Sequence, residues 1–207
     1  MKKLALVLVA ALALVACEPP TAPTYSGPAD GRKVAVVGDS ITASAVKPIR
    51  ASLSEYQLAV TATAGIALAA GRIQLVQPAV MTRPEILVIE LGINSATVAW
   101  DSDDLPNLEG ILADVKTIPC VIWVTPTALA PSSFDPGGKG TLQSRLESFK
   151  ASLKKRLPAH RNVHLADWGP TELANPAWFT SDHLHLSPAG QAAYGRYLDE
   201  RVAALCG

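Results

Sequence analysis

The chain has no excess of charge of either sign, no arginine run, no internal repeat and no apolar stretch long enough to span a bilayer comfortably. Each absence excludes something. Lysine plus arginine equals aspartate plus glutamate at 18 each, and no basic patch stands out, so nothing argues for a nucleic-acid partner. The apolar stretch Leu4–Ala16 covers only 13 residues, which suits a secretory leader better than a membrane span. No Gly-x-Ser-x-Gly occurs, which removes the nucleophile elbow of the α/β-hydrolases. Gly137-Gly138-Lys139-Gly140 is not a phosphate loop. No serine or threonine follows Lys139, and no glycine lies five positions before Gly138. It reads as the tip of a loop, Pro131–Gly140.

What is present begins with that leader. Lys2 and Lys3 precede the apolar stretch, which ends Leu14-Val15-Ala16-Cys17. Small residues directly before a cysteine resemble the lipobox of bacterial lipoproteins, where the cysteine is lipidated and becomes the first mature residue. An ordinary signal peptide with an incidental cysteine is the alternative. The expected division is a lipoprotein signal peptide over 1–16, a lipidated Cys17 with a tether over 17–31, and one folded domain over 32–207. Removal of Lys2 and Lys3 leaves 16 basic against 18 acidic residues. Glu18–Gly31 carries four prolines and almost no aliphatic side chains, the composition of an extended tether. Glu18, in place of an aspartate after the cysteine, favours the outer membrane in a bacterium with two membranes. The expected location is therefore the cell envelope, with the membrane as a partner through Cys17. In an exported protein Cys120 and Cys206 are expected to pair, pinning the C-terminus to the sheet. Two isolated buried thiols are the alternative.

The folded part alternates strand and helix patterns. Strands are predicted over Lys33–Gly38, Gln57–Ala64, Glu85–Leu91, Cys120–Pro126 and Asn162–Asp167. Val34–Val37, Ile86–Ile89 and Val121–Val124 are nearly continuous apolar runs, as in parallel strands covered on both faces. Helices are predicted over Lys47–Glu55, Gly71–Val80, Asp103–Lys116, Leu142–Leu157 and Pro188–Leu205. The pattern implies a three-layer α/β domain with a mostly parallel sheet. Ligands bind at the carboxyl edge of such sheets.

That edge collects the chemistry. Gly38-Asp39-Ser40 follows the first strand, Ala64-Gly65-Ile66 the second and Gly92-Ile93-Asn94 the third. Asp182-His183-Leu184-His185 lies just before the last helix. A serine hydroxyl needs a base to take its proton, and an attacked acyl group needs donors for its developing oxyanion. Taken singly, Ser40 is a helix cap, Asn94 a turn former, and Gly65 and Gly92 plain turn glycines. Together they form an acyl-transfer site. His183 with His185, completed by Asp182 or His164, offers a rival zinc reading. It leaves Ser40 and Asn94 unexplained, so no metal or other cofactor is expected. His183 then reads as a pocket-wall or surface residue, and His160 and His164 as structural. Asp39 is expected to support the loop under Ser40 through backbone hydrogen bonds. Trp123 in a strand and Trp100, Trp168 and Trp178 in loops read as packing residues.

The four segments in this order resemble the SGNH (GDSL-type) hydrolase family, from Val34 to about Gly195. The run Asp182-x-x-His185-Leu186-Ser187-Pro188-Ala189-Gly190 is the most specific part of the match. The resemblance implies a flavodoxin-like five-stranded parallel sheet of order 2-1-3-4-5. It implies Ser40 as nucleophile, His185 as base and Asp182 as the residue that orients it. Ser40, Gly65 and Asn94 would form the oxyanion hole. Ser95 departs from the aspartate common after that asparagine, which bears on the geometry of the loop. The implied activity is a serine esterase for short acyl esters, with an acetylated cell-envelope glycan as the expected substrate. Transfer of the acyl group to a sugar or lipid is the second reading, and a non-catalytic envelope-binding lipoprotein the third. The expected partner is an acylated small molecule or glycan, and the expected state a monomer. Short loops at Thr97–Leu105 and Pro131–Gly140 suggest an open site for small acyl groups on a large alcohol.

Overall fold

A computed structural model describes residues 21–98, 104–125 and 141–207. The leader with Cys17, Trp100, most of the Thr97–Leu105 segment and the whole of Pro131–Gly140 lie outside the described residues.

The first half of the domain runs β1 (Lys33–Gly38), α1 (Ser40–Ser44), α2 (Val46–Ser52), β2 (Gln57–Ala62), α3 (Leu68–Gly71), α4 (Gln77–Met81), β3 (Ile86–Glu90) and α5 (Ile93–Val98). The second half adds α6 (Leu105–Asp114), β4 (Cys120–Thr125), α7 (Leu142–Arg156), β5 (Val163–Asp167), α8 (Gly169–Leu173) and α9 (Pro188–Cys206). The strands form one sheet of order β2-β1-β3-β4-β5, and every pairing is parallel.

The apolar strand runs divide by alternation. Val34, Val36, Ile86, Val88, Ile122 and Val124 face one layer, where Ile49 of α2, Leu53 just after it, and Tyr194 and Leu198 of α9 meet them. Ala35, Val37, Leu87, Ile89, Val121 and Trp123 face the other, against Leu75, Leu108, Ile111, Phe149 and Leu153. Burial of each large aliphatic side chain contributes about 1.5–3 kcal/mol relative to exposure. Two covered faces therefore account for the unbroken apolar runs of the central strands.

The elements differ from the sequence expectation where local chemistry or tertiary contacts override the pattern. β2 stops at Ala62, because Ile66 N–H bonds the Thr63 carbonyl and Gly65 adopts a positive φ of 76°. That is a tight turn needing glycine at its third position. The helical stretch that begins at Leu68 contains a π turn over Arg72–Val76, directly before Pro78. Pro78 cannot donate to the carbonyl four residues back, and the wider turn relieves its ring. The short helices α1, α5 and α8 have no apolar period long enough to read. The expected tether is docked in its last part: Ser26 exchanges both backbone hydrogen bonds with Leu58, and Tyr25 Oη pairs with Thr82 Oγ1 at 2.7 Å.

Cys120 opens β4, Cys206 closes α9, and the two are joined as a disulfide across a sequence separation of 86. Closing a loop of that length removes chain entropy from the unfolded state worth at most ~4.6 kcal/mol, with measured bridges typically giving about 2–4. The Cys120→Ala/Cys206→Ala double variant should therefore lose about 3 kcal/mol in urea unfolding and keep the native circular dichroism spectrum.

Candidate active site

The site is assembled from turns at the carboxyl edge. β1 ends at Gly38, where an added Cβ would lie 2.1 Å from Thr42 Oγ1 and 3.0 Å from the Glu90 carbonyl. Only glycine lets the chain turn so close to β3. Asp39 then caps α1, its Oδ1 accepting from Ile41 N–H at 3.1 Å. Ser40 is the first residue of α1, so its N–H has no partner within the helix.

The histidine arrives on a clipped hairpin. Thr180 N–H donates to the His185 carbonyl, Ser187 N–H to the Trp178 carbonyl, and Phe179 bridges Leu186. The tip turns at His183, which is exposed and holds a left-handed φ of 57°. Asp182 closes the tip. Its Oδ1 accepts from Leu184 N–H and His185 N–H, each at 2.9 Å, and from Thr180 Oγ1 at 2.6 Å. Its Oδ2 lies 2.7 Å from His185 Nδ1. Partial burial works to raise the Asp182 pKa, but the Thr180, His185 and backbone bonds outweigh it and hold the carboxyl well below the usual range. It is an anion at any pH where the protein would work. The other ring nitrogen, His185 Nε2, stands 3.0 Å from Ser40 Oγ. Leu184, between acid and base, packs on Ile93, Ala96, Leu142 and Leu146, which ties the hairpin to α5 and α7.

α5 carries the third segment. Gly92, at φ 130°, takes the chain past Phe149, whose ring would be 2.6 Å from a Cβ at that position. Asn94 follows, and its Nδ2 donates to Asp39 Oδ2 and to the Ile66 carbonyl, both at 3.2 Å. The amide orientation is thus set by two acceptors, one of them beside Gly65. Ser95 is buried and its Oγ accepts from Leu68 N–H at 3.1 Å, capping α3 across the gap. A short hydroxyl therefore serves as the link between the second and third segments. The other end of α5 is held by Arg145, which donates to the Ala96 and Thr97 carbonyls.

Two carboxyl groups sit beneath this arrangement, both fully buried. Glu90 ends β3, and its Oε2 accepts from Thr42 Oγ1 at 3.0 Å and from the Thr42 and Asp39 N–H groups at 3.3 Å. Burial pushes the Asp39 carboxyl up to about 6, with bonds from Ile41, Glu90 and Asn94 limiting the rise. Burial, followed by the Asp39 charge, pushes Glu90 well above the ordinary glutamate range.

The structure thus brings together Ser40, His185 and Asp182, and sets Asn94 and Gly65 on the neighbouring turns. Asp39 makes the expected backbone bond and also anchors Asn94. Sequence reasoning passed over Glu90 and Thr180. The signal for Glu90 was available, since a carboxylate directly ends the apolar run Ile86–Ile89. Thr180 carried none, because its role depends on a hairpin with no alternating pattern. Among the described residues no group of three or more His, Cys, Asp or Glu side chains comes together as a metal site. Trp123 and Trp168 are buried, and Trp178 stacks on Trp168 at 5.6 Å.

A serine, a histidine and a carboxylate in series, at the edge of a 2-1-3-4-5 parallel sheet, define an acyl-transferring enzyme of the SGNH class. Residues 36–193 match the GDSL-like Lipase/Acylhydrolase family. The chain belongs to that family and is an ester hydrolase of the SGNH type. Solved structures with the same fold include a putative acylhydrolase from Bacteroides fragilis, with TM-score 0.71 and 18% identity over 90% of this chain and 91% of that one. The C-terminal catalytic domain of peptidoglycan O-acetyltransferase A from Streptococcus pneumoniae aligns with TM-score 0.64 and 16% identity, over 84% and 92% of the two chains. A catalytic mutant of an acetylxylan esterase from Geobacillus stearothermophilus gives TM-score 0.64 and 18% identity, over 83% and 94%. No curated protein matches the chain in sequence.

The buried Ser95 bond gives a stability prediction. Ser95→Ala strands the Leu68 N–H and should cost about 1–3 kcal/mol. Urea unfolding should show a lower midpoint at an unchanged slope.

Proposed function

We propose that the protein is a serine esterase that removes short, acetyl-like acyl groups through Ser40, His185 and Asp182. The observation that carries this reading is the continuous chain of contacts from Asp182 Oδ2 through both His185 nitrogens to Ser40 Oγ. His185 Nε2 takes the Ser40 proton as Oγ attacks the ester carbonyl. The imidazolium so formed is stabilised by Asp182, whose depressed pKa keeps it charged. The oxyanion is met by the Ser40 and Gly65 N–H groups and by Asn94 Nδ2. Asn94 takes up that role by giving up its bond to the Ile66 carbonyl while Asp39 keeps the amide in place. The C–O bond then breaks, His185 protonates the leaving alcohol, and water releases the acyl group from Ser40.

The alcohol side of the substrate is a glycan of the cell envelope. Two relatives of the fold are described as acting on peptidoglycan and on acetylxylan, both acylated polysaccharides. The O-acetyltransferase among them supports a second reading, in which a sugar hydroxyl replaces water as acceptor. Location follows from the leader: Cys17 carries a lipid that holds the domain in the cell envelope.

Four measurements test this. Ser40→Ala and His185→Ala should reduce hydrolysis of p-nitrophenyl acetate to background, and undiminished turnover in either defeats the assignment. Asn94→Ala should lose about two to three decades in kcat with the fold intact. Offering acetylated enzyme a range of sugar alcohols separates the two readings, since appearance of an acetylated sugar selects transfer. Cys17→Ser should move the protein from the membrane fraction to the soluble one and abolish labelling by a fatty-acid analogue.

A further inference from the structure

Glu90 is sealed from solvent, yet its two carboxyl oxygens are treated very differently. Oε2 takes three donors, from Thr42 Oγ1, Thr42 N–H and Asp39 N–H. Oε1 is buried and meets no donor. Its acidic neighbour is the Asp39 carboxyl, whose own backbone N–H bonds Glu90 Oε2 and whose charge disfavours a second anion there. A buried carboxylate oxygen without a donor costs several kcal/mol, and two adjacent buried anions cost more. A proton on Oε1 removes both penalties at once, because the oxygen then becomes the donor that Asp39 lacks.

We propose that Glu90 is a positioning residue that works as a neutral acid: Oε1–H donates to the Asp39 carboxylate, which in turn holds Asn94 Nδ2 in the oxyanion site. The inference rests on the donor role given to Asn94 above. Asp39 then accepts from Ile41 N–H, Asn94 Nδ2 and Glu90, and is a fully bonded anion. The pair carries one negative charge instead of two. That matters because the reaction builds a further negative charge on the far side of Asn94. Two other titratable groups among the described residues bear on the pair. His185 draws Asp39 towards its anionic form. Tyr194 of α9 is fully buried, and burial above all pushes its phenol well above the ordinary tyrosine range, so it stays neutral. The donors that reach Glu90 Oε2 are the neutral Thr42 hydroxyl and the Thr42 and Asp39 N–H groups, and its burial favours the neutral form.

Glutamine is the isostere of a protonated glutamate, donating an N–H where the acid donates its O–H. Glu90→Gln should keep kcat/KM within about threefold of wild type at pH 7, whereas Glu90→Leu, which fills the space and donates nothing, should lose about tenfold or more in kcat. A merely space-filling role predicts the reverse order or no difference. The pH response separates the roles again. With its folded pKa above its unfolded value, Glu90 stabilises the fold fully below the ordinary glutamate range, and that contribution is lost as pH rises through the folded value. Asp39 acts with the same sign up to about pH 6. Above pH 6, then, wild type should lose thermal stability and kcat with rising pH more steeply than Glu90→Gln.

The direct readout is infrared difference spectroscopy at pH 7. Wild type should show the carbonyl stretch of a protonated carboxylic acid, shifted by 13C-glutamate labelling and absent in Glu90→Gln. A wild-type protein without that band, or a band shifted only by labelled aspartate or lost only in Glu172→Gln, overturns the proposal. Even if the variants fail to fold, wild type alone overturns the proposal where it shows no such band or where only labelled aspartate shifts it. Because the band reports a proton and not turnover, its absence refutes this inference alone, while an active Ser40→Ala variant would refute the esterase reading alone.

Discussion

Parallel strands all end at the same edge, and the site depends on that constraint. Ser40 and His185 are 145 positions apart, yet their side chains stand within hydrogen-bonding distance. No local preference could bring them together. β1 delivers Ser40, β3 delivers Glu90 and the turn to Asn94, and the turn after β2 delivers Gly65. The strand register puts Gly38, Ala62 and Glu90 side by side, so the three turns begin from one level. His185 comes from no strand. It is placed by a hairpin whose own backbone bonds fix its tip, and by Leu184 resting on α5 and α7.

Much of this was legible in the chain because the signals were strong and local. The apolar runs could only be buried strands, and glycine, serine or asparagine directly after them marked the functional edge. Pro188 and the spacing behind it gave α9 to within one residue. The illegible parts share a cause. α5 has three β-branched residues in Ile-Asn-Ser-Ala-Thr-Val and little intrinsic helix preference. It forms because Ile93 and Ala96 are buried and Arg145 bonds its last carbonyls. Ser95 looked like a gap in a motif, and its worth depends on Leu68, which is distant in sequence. Likewise the end of the tether looked unstructured by composition, although Tyr25 and Ser26 find partners on the domain.

The acid pair shows how a fold can hold charge where charge is costly. Polar groups in a dry interior must be matched donor to acceptor, or they exact the full cost of desolvation. Backbone N–H groups of the β1–α1 turn supply part of the match, and the Thr42 hydroxyl and the Asn94 amide supply the rest. The Ser40 turn, the neighbouring strand and α5 are thereby stitched through carboxyl oxygens. Such a network fixes angles more tightly than hydrophobic packing does, since each bond has a direction.

Sheet polarity has one more consequence, for how the enzyme stands. The chain enters β1 from the amino edge and meets the serine at the other end of the strand. Six residues of strand separate the two by about 20 Å. Because Tyr25 and Ser26 are fastened to the domain, the stretch from Cys17 to Thr24, eight residues of sequence, is all that separates the proposed lipid site from that anchor. Fully extended, that length reaches less than about 30 Å. On the proposed lipidation, Cys17 would therefore keep the domain within a few nanometres of its membrane, close enough to reach only polymers lying next to the bilayer.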